Sequence, residues 1–313
     1  MKSLAGTGRM GGKAPSTFTT LHSVHYICSM RFFRNTFIGL RAYYKAFQFI
    51  IEHKLYWYVG IPAVLMLGIY EVGYLIQQHT PETTATNMNE IVWYMLGLFI
   101  EISIALLLMR FAKYLVVIIL SPLLSHLSQK VEYTLTGNVY TFSLKQLLDD
   151  VKRGFSIAIR NMMWEYFFFI IVYMVVKLGW KNAEDSPLFY LIFVIGFFYY
   201  GFAFLDYINE RLRLNMDQSV QFARRNRGLA IAIGSIYSMM IWVPVELKAL
   251  FDWSSFALDP VSFLYEFVLN LLLWLCAAFA PIWSIVAATI AMNDLIGLKE
   301  SREIMEEQTI RTD

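Results

Sequence analysis

The chain has 313 residues, of which 58% are hydrophobic and 16% charged, and its mean hydropathy is +0.50. A soluble domain of this length cannot hide so much apolar surface, so the composition argues against a soluble enzyme and excludes disordered and fibrous proteins. The net charge of +2 gives no reason to expect nucleic acid as a partner. The composition therefore predicts a polytopic membrane protein.

The first 29 residues are rich in Gly, Ser and Thr and show no apolar period. They predict a disordered N-terminal extension over 1–29, followed by a single helical membrane domain over 30–313. His22 and His25 lie in this extension without a neighbouring carboxylate, and Cys28 and Cys276 are far apart in the sequence. No metal site, disulfide framework or cofactor is predicted.

Residues 33–54 have the pattern of an amphipathic helix. An apolar stripe recurs every three or four positions, at Phe33, Phe37, Leu40, Tyr44, Phe47 and Ile51. Charged and polar residues line the other side, at Arg34, Arg41, Lys45, Gln48 and Glu52. Such a helix is expected to lie in the membrane interface, where its basic face attracts anionic lipid headgroups. The alternative is a helix packed against the membrane bundle.

Six later stretches are long and apolar enough to cross a hydrocarbon core of roughly 30 Å. Because they are continuous rather than alternating, they predict helices and an all-α polytopic protein. They are 55–76, 91–120, 154–180, 188–208, 229–251 and 263–292.

The second stretch, 91–120, carries the charges that are most informative for transport. Arg110 and Lys113 share one helix face near the end of the hydrocarbon, where snorkelling also explains them. Glu101 lies nearer the middle, so its carboxylate is expected to be protonated, paired or in contact with water. These three residues are candidates for a polar route.

The connecting segments predict the orientation. On alternate sides of the six stretches they carry twenty Lys and Arg residues against one, so both termini are predicted to be cytoplasmic. Arg224, Arg225 and Arg227 belong to the positive side and are candidates for an anion vestibule or a headgroup site. They are also candidates for reaching Asp206 across the loop. No nucleophile elbow, zinc-protease motif or P-loop is present, so neither an enzyme nor an ATP-driven pump is predicted.

Several segments resemble the family of CysZ sulfate permeases and etoposide-induced proteins. Residues 121–132, which contain Pro122 and end in Lys-Val-Glu at Glu132, are followed by Gly137 as in that family. Residues 204–207 contain a Leu-Asp-Tyr motif at Asp206, and Arg211 follows it. The basic segment 224–227, the Gly-containing helix up to Pro244, and residues 280–289 resemble later parts of the family. The likeness covers roughly residues 37–294.

The resemblance implies a helical permease of the bacterial inner membrane that admits sulfate for cysteine synthesis. It also implies assembly into homo-oligomers, contact with membrane lipids, and hairpins that enter the bilayer without crossing it. Pro122, Glu132, Asp206 and Arg211 are expected to have structural roles. Where the family has a Gly-Leu-Arg-Arg-like anion site, this chain has Lys54 followed by Leu55, Tyr56 and Trp57, so Lys54 is the cation that remains.

Two functions stay open at this point. The first is a permease for a small inorganic oxyanion, most readily sulfate, whose site residues are Lys54, Glu101, Arg110, Lys113, Arg224 and Arg225. The second is a membrane scaffold that does not transport, which would need no buried cations.

Overall fold

The computed structural model describes residues 17–68, 117–139, 144–180, 186–241 and 259–301, and residues 245, 246, 250, 251, 253 and 256. Side chains are described from residue 30 and, in the fourth helix, from residue 151. Every regular element in these ranges is a helix, which confirms the all-α membrane class. The helices are α1 Thr17–Glu52, α2 Leu55–Gly68, α3 Ser121–Thr136, α4 Leu144–Gly179, α5 Pro187–Arg211, α6 Met216–Arg225, α7 Arg227–Ile241 and α8 Pro260–Ile296.

Three helices are long and apolar enough to cross a membrane: α4 over Val151–Gly179, α5 over Pro187–Arg211, and α8 over Pro260–Ile296. They confirm the predicted stretches 154–180, 188–208 and 263–292. The end of 55–76 and most of 91–120 lie outside the described residues.

The prediction of one continuous helix over 229–251 is wrong. The helix α7 ends at Ile241, and residues 245 and 246 are not helical. In the sequence Pro244 follows this helix, and proline lacks the N–H that an interior helical position needs. At 15 residues, α7 is about 22 Å long and falls short of the hydrocarbon thickness.

The central contact of the bundle joins α5 to α7 at two glycines. A Cβ added at Gly234 would lie 1.8 Å from the carbonyl oxygen of Phe197, and one added at Gly201 would lie 1.7 Å from that of Ala230. The two backbones therefore touch directly, which is the contact that small residues permit between membrane helices. Around this crossing α7 also packs against α1 and α8.

The helix α1 starts much earlier than the sequence pattern predicted, at Thr17 rather than at residue 33. Residues 17–29 are therefore helical, whereas the composition had placed them in a disordered extension; residues 1–16 lie outside the described residues. No glycine or proline interrupts the chain between Pro15 and Gly39, so nothing in the sequence stops the helix there.

One narrow face attaches α1 to the bundle. It includes the small residues Gly39, Ala42 and Ala46 and the larger residues Asn35, Tyr43 and Ile50, all of them buried, and it packs against α7 and α8. Tyr43 fixes the register: its hydroxyl donates to the carbonyl oxygen of Ile233 at 2.7 Å and accepts from the Ser284 hydroxyl at 2.8 Å. The indole Nε1 of Trp283 donates to the carbonyl oxygen of Tyr43 at 2.8 Å.

The apolar stripe of α1 lies on a different face and is largely exposed, although the Phe47 ring lies 5.9 Å from the Trp283 ring of α8. Its six side chains are between 46% and 67% exposed: Phe33, Phe37, Leu40, Tyr44, Phe47 and Ile51. The helix thus does pack on the bundle, but through the face that carries Gly39, Ala42 and Tyr43. The exposed stripe is compatible with the interfacial position predicted from the sequence, where it would meet lipid.

Spin labels on α1 should distinguish these faces in reconstituted vesicles. With Cys28 and Cys276 replaced, we expect Phe37→Cys and Tyr44→Cys labels to be accessible to oxygen, which concentrates among acyl chains, and a Lys45→Cys label to be accessible to a water-soluble nickel complex. The internal control is Ala42→Cys, whose label should be poorly accessible to both. Equal nickel accessibility at positions 44 and 45 would contradict a lipid-facing stripe.

Residues next to α8 cap both of its ends. The Asp259 carboxylate accepts from the Ser262 hydroxyl at 2.7 Å and from the backbone N–H of Val261 at 3.1 Å. Hydrogen bonds from Ser262 and Val261 lower the pKa of Asp259, so its charge complements the helix start. Pro260 follows at the first turn, and Gly297 ends the helix in a left-handed conformation.

Candidate functional site

A buried ion pair lies where α3 packs against the end of α5. Arg211 Nε lies 2.9 Å from Glu132 Oε2, and the two side chains are 5% and 3% exposed. Arg211 also donates to the Ser128 hydroxyl at 2.8 Å and to the carbonyl oxygen of Tyr207 at 3.1 Å. Every one of these contacts satisfies a donor that would be costly to bury alone.

Hydroxyl and amide groups extend this pair into a third helix. The Thr289 hydroxyl of α8 donates to the carbonyl oxygen of Ile285, so the Ser128 hydroxyl is the donor in its 2.7 Å contact with Thr289. Asn138 Nδ2 donates to Glu132 Oε1 at 3.1 Å. The ion pair thereby ties α3, α5 and α8 together.

A second ion pair joins α4 to α5. Arg153 donates to both carboxylate oxygens of Asp206, from Nε at 2.9 Å and from Nη2 at 3.0 Å. The Ser219 hydroxyl of α6 also donates to Asp206, and Asn209 Nδ2 donates to Ser219 Oγ at 2.9 Å. We call the two ion pairs and their hydrogen-bonded neighbours the polar cluster, comprising Ser128, Glu132, Asn138, Arg153, Asp206, Asn209, Arg211, Ser219 and Thr289.

The partner expected for Asp206 needs correction. The sequence pointed to an arginine of segment 224–227, but the bidentate partner is Arg153, from the residues just before the predicted span. Arg224 and Arg225 are exposed in the last turn of α6. Glu132, Asp206 and Arg211 are each held in an ion pair, which is compatible with the structural roles expected for them. Pro122 occupies the first turn of α3.

Lys54 immediately precedes α2 and does not belong to the polar cluster. It adopts a left-handed backbone conformation, with φ 55° and ψ 34°, and no side chain caps the first turn of α2. The first backbone N–H groups of a helix attract anions when no side chain accepts from them. Tyr56 and Trp57, in the first turn of α2, are 44% and 77% exposed.

Lys130 is a cation near this helix start that the sequence reasoning did not select. Its Nζ lies 3.5 Å from the Tyr58 hydroxyl and 5.3 Å from the centre of the Tyr58 ring. Tyr58 belongs to the first turns of α2, so α3 carries a second lysine to the region of Lys54. Lys130 belongs to the segment 121–132 that resembles the family, but the sequence around it does not show which helix it contacts.

The structure does not bring all the predicted site residues together. Lys54 lies at the start of α2, whereas Arg224 and Arg225 lie on α6 beyond the polar cluster. Glu101, Arg110 and Lys113 lie outside the described residues. The predicted set therefore divides into Lys54 at the start of α2, the arginines of α6, and three residues that lie outside the described part of the chain.

Residues 42–251 match a family model described as Sulfate transporter CysZ/Etoposide-induced protein 2.4. The match covers about two thirds of the chain and runs from the middle of α1 past the end of α7; the likeness at residues 280–289 lies beyond it. No curated protein matches the chain. The chain therefore belongs to the family of the sulfate transporter CysZ and the etoposide-induced protein 2.4.

Proposed function

We propose that the chain is a permease for a small inorganic oxyanion, with sulfate as the favoured substrate and the bacterial cytoplasmic membrane as its location. The observation that carries the proposal is the start of α2, where no side chain caps the first turn after Lys54 and where Lys130 of α3 lies over the Tyr58 ring. Free backbone N–H groups at a helix start and lysine cations are groups that replace water around an oxyanion. Membership of a sulfate transporter family supports the same assignment.

The start of α2 is the proposed anion-binding site at the cytoplasmic end of the route. There the uncapped N–H groups, Lys54 and Lys130 can replace part of the water around an oxyanion. Glu101, Arg110 and Lys113 stay candidates for the route beyond it, and Arg224 and Arg225 for the cytoplasmic vestibule. Self-assembly into a homo-oligomer is part of the proposal.

Uptake of labelled sulfate into proteoliposomes tests the function. We expect uptake above that of protein-free vesicles, reduced by excess unlabelled sulfate and less by chloride, with phosphate as the second oxyanion. Lys54→Gln with Lys130→Gln should lower uptake at subsaturating sulfate. Folded, reconstituted protein that gives no uptake would instead favour the scaffold function.

Introducing arginines in the first turn of α2 should strengthen sulfate binding. A guanidinium offers bidentate, charge-assisted hydrogen bonds to an oxyanion, which aromatic faces cannot offer. We expect Tyr56→Arg with Trp57→Arg to raise sulfate affinity about tenfold or more, because one hydrogen bond to a charged group contributes roughly 1.5–3 kcal/mol. Isothermal titration would measure the change.

The matched control adds the same two charges elsewhere on the surface. Tyr190 and Leu191 near the start of α5 are 61% and 46% exposed, so Tyr190→Arg with Leu191→Arg should leave sulfate affinity within about twofold of the unmodified protein. An equal gain from both pairs would mean that net charge, and not the start of α2, controls binding.

A further inference from the structure

A buried polar contact joins α1 to the turn between α6 and α7. Asn35 Nδ2 donates to Asn226 Oδ1 at 2.9 Å, and the two residues are 1% and 4% exposed. Asn226 Nδ2 in turn donates to the carbonyl oxygen of Phe222 at 3.1 Å. The backbones are also close, because a Cβ added at Gly228 would lie 2.3 Å from the carbonyl oxygen of Phe32. This contact therefore fixes the turn against α1.

The same contact brings arginines of two segments together. Arg31 Nη2 donates to Asn226 Oδ1 at 3.4 Å, and Arg225 and Arg227 are the sequence neighbours of Asn226. The Cα atoms of these two neighbours therefore lie within about 11 Å of Arg31 Nη2. All three arginines are exposed, and so is Arg34, which lies one turn along α1 from Arg31. We call Arg31, Arg34, Arg225 and Arg227 the basic surface.

Acidic side chains are far from the basic surface along the helices that carry it. On α1 the one acidic residue is Glu52, at the opposite end of the helix from Arg31. On α6 it is Asp217 in the first turn, about 12 Å along the helix from Arg225. Within the described part of the chain, no ion pair involves the four arginines. The basic surface thus keeps its positive charge.

Aromatic side chains of α1 lie beside the basic surface. Phe33 and Phe37 are 67% and 66% exposed. At 3.6 residues per turn, Arg34 lies between Phe37 on one side and the buried Asn35 on the other. The order around α1 is therefore an exposed apolar strip, then arginines, then the contact with the bundle. An amphiphile with an anionic headgroup complements this order, because its headgroup can meet the arginines while its acyl chains meet the phenyl rings.

We propose that the basic surface binds the headgroup of an anionic phospholipid, whose acyl chains lie against Phe33 and Phe37. A guanidinium can donate two hydrogen bonds to one phosphate, so arginine suits this ligand. Arg31 belongs to α1, whereas Arg227 belongs to the bundle. A headgroup that contacts both arginines connects the interfacial helix to the bundle through the lipid.

Lipid binding to the full chain in detergent tests the site without depending on transport. Native mass spectrometry would measure the affinity for the first phosphatidylglycerol bound, with phosphatidylcholine as the zwitterionic comparison. We expect tighter binding of phosphatidylglycerol, and a loss of about tenfold or more in Arg31→Gln with Arg227→Gln. Lys152→Gln with Lys299→Gln removes the same charge from exposed positions on α4 and after α8, and should change the affinity by less than about twofold.

Single variants test whether the two arginines share one lipid. If they do, Arg31→Gln and Arg227→Gln should each weaken the first lipid bound by about threefold or more. Two separate sites would leave one site intact in each single variant. Losses below about twofold in both single variants would therefore contradict a shared headgroup.

Equal losses in the arginine and lysine pairs would overturn the proposal, since they would show a diffuse electrostatic attraction, and so would equal affinities for the two lipids. Inorganic phosphate that displaces the lipid at equal concentration would rule out the lipid as occupant. Melting temperatures of all variants identify any that misfold. If the first arginine pair misfolds, Arg34→Gln with Arg225→Gln replaces it, with the same loss expected.

Discussion

Replacing Gly234 with alanine should lower the melting temperature of the protein by on the order of 10 °C. A methyl group there would lie 1.8 Å from the carbonyl oxygen of Phe197 and 2.6 Å from the backbone nitrogen of Gly201. Both are backbone atoms, so no side-chain rotation relieves the clash and the two helices must separate. We expect a cost of about 3 kcal/mol or more, at the upper end of overpacking effects.

The control is another helical glycine. Gly60 in α2 is exposed, and a Cβ added there would meet nothing within 4 Å. Gly60→Ala should leave the melting temperature unchanged or raise it slightly, because alanine favours a helix more than glycine does. Similar melting temperatures for Gly234→Ala and Gly60→Ala would show that α5 and α7 are not in backbone contact.

Breaking the buried ion pair should be nearly as damaging. Arg211→Met leaves the Glu132 carboxylate buried without its cation, and Glu132→Gln leaves the arginine without its anion. Removing one member of a buried pair typically costs about 3–5 kcal/mol. The double variant Glu132→Leu with Arg211→Met should cost less than the sum of the single changes, because neither charge is stranded. Denaturation of the purified protein would provide the free energies of unfolding.

The chain offers a surface pair for comparison. Lys45 Nζ lies 2.6 Å from Asp294 Oδ2, but the two side chains are 37% and 33% exposed. Water screens such a pair, so Lys45→Met should cost only about 0–1 kcal/mol. A cost for Arg211→Met no greater than that for Lys45→Met would mean that Arg211 reaches water in the folded protein.

The helices follow from local sequence patterns, whereas their contacts do not. Long apolar runs predicted α4, α5 and α8, because length and hydropathy are properties of a single segment. The pair Arg153–Asp206 joins positions 53 apart, and no spacing within either helix indicates it. The partner of Lys130 was hidden for the same reason.

The face by which α1 packs shows a second limit of sequence reasoning. In a soluble protein an apolar stripe indicates the packed face, but lipid is itself apolar, so it does not drive such a stripe inward. In α1 the stripe residues such as Phe37 and Tyr44 point outward, and Gly39, Ala42 and Tyr43 make the contact. The stripe predicted the helix, and the less conspicuous face opposite it determines where the helix packs.

The Tyr43 hydroxyl makes the packing of α1 on the bundle sensitive to alkaline pH. Burial raises the pKa of Tyr43 well above its usual value near 10, so the phenol stays protonated and keeps donating to Ile233 at every physiological pH. The unfolded chain has the ordinary pKa, so the stability that this hydroxyl contributes is complete below pH ~10 and is lost as the pH rises further. Alkaline washes of the kind that strip peripheral proteins from membranes would therefore loosen α1 from its own bundle, while neutral and mildly acidic conditions leave it in place.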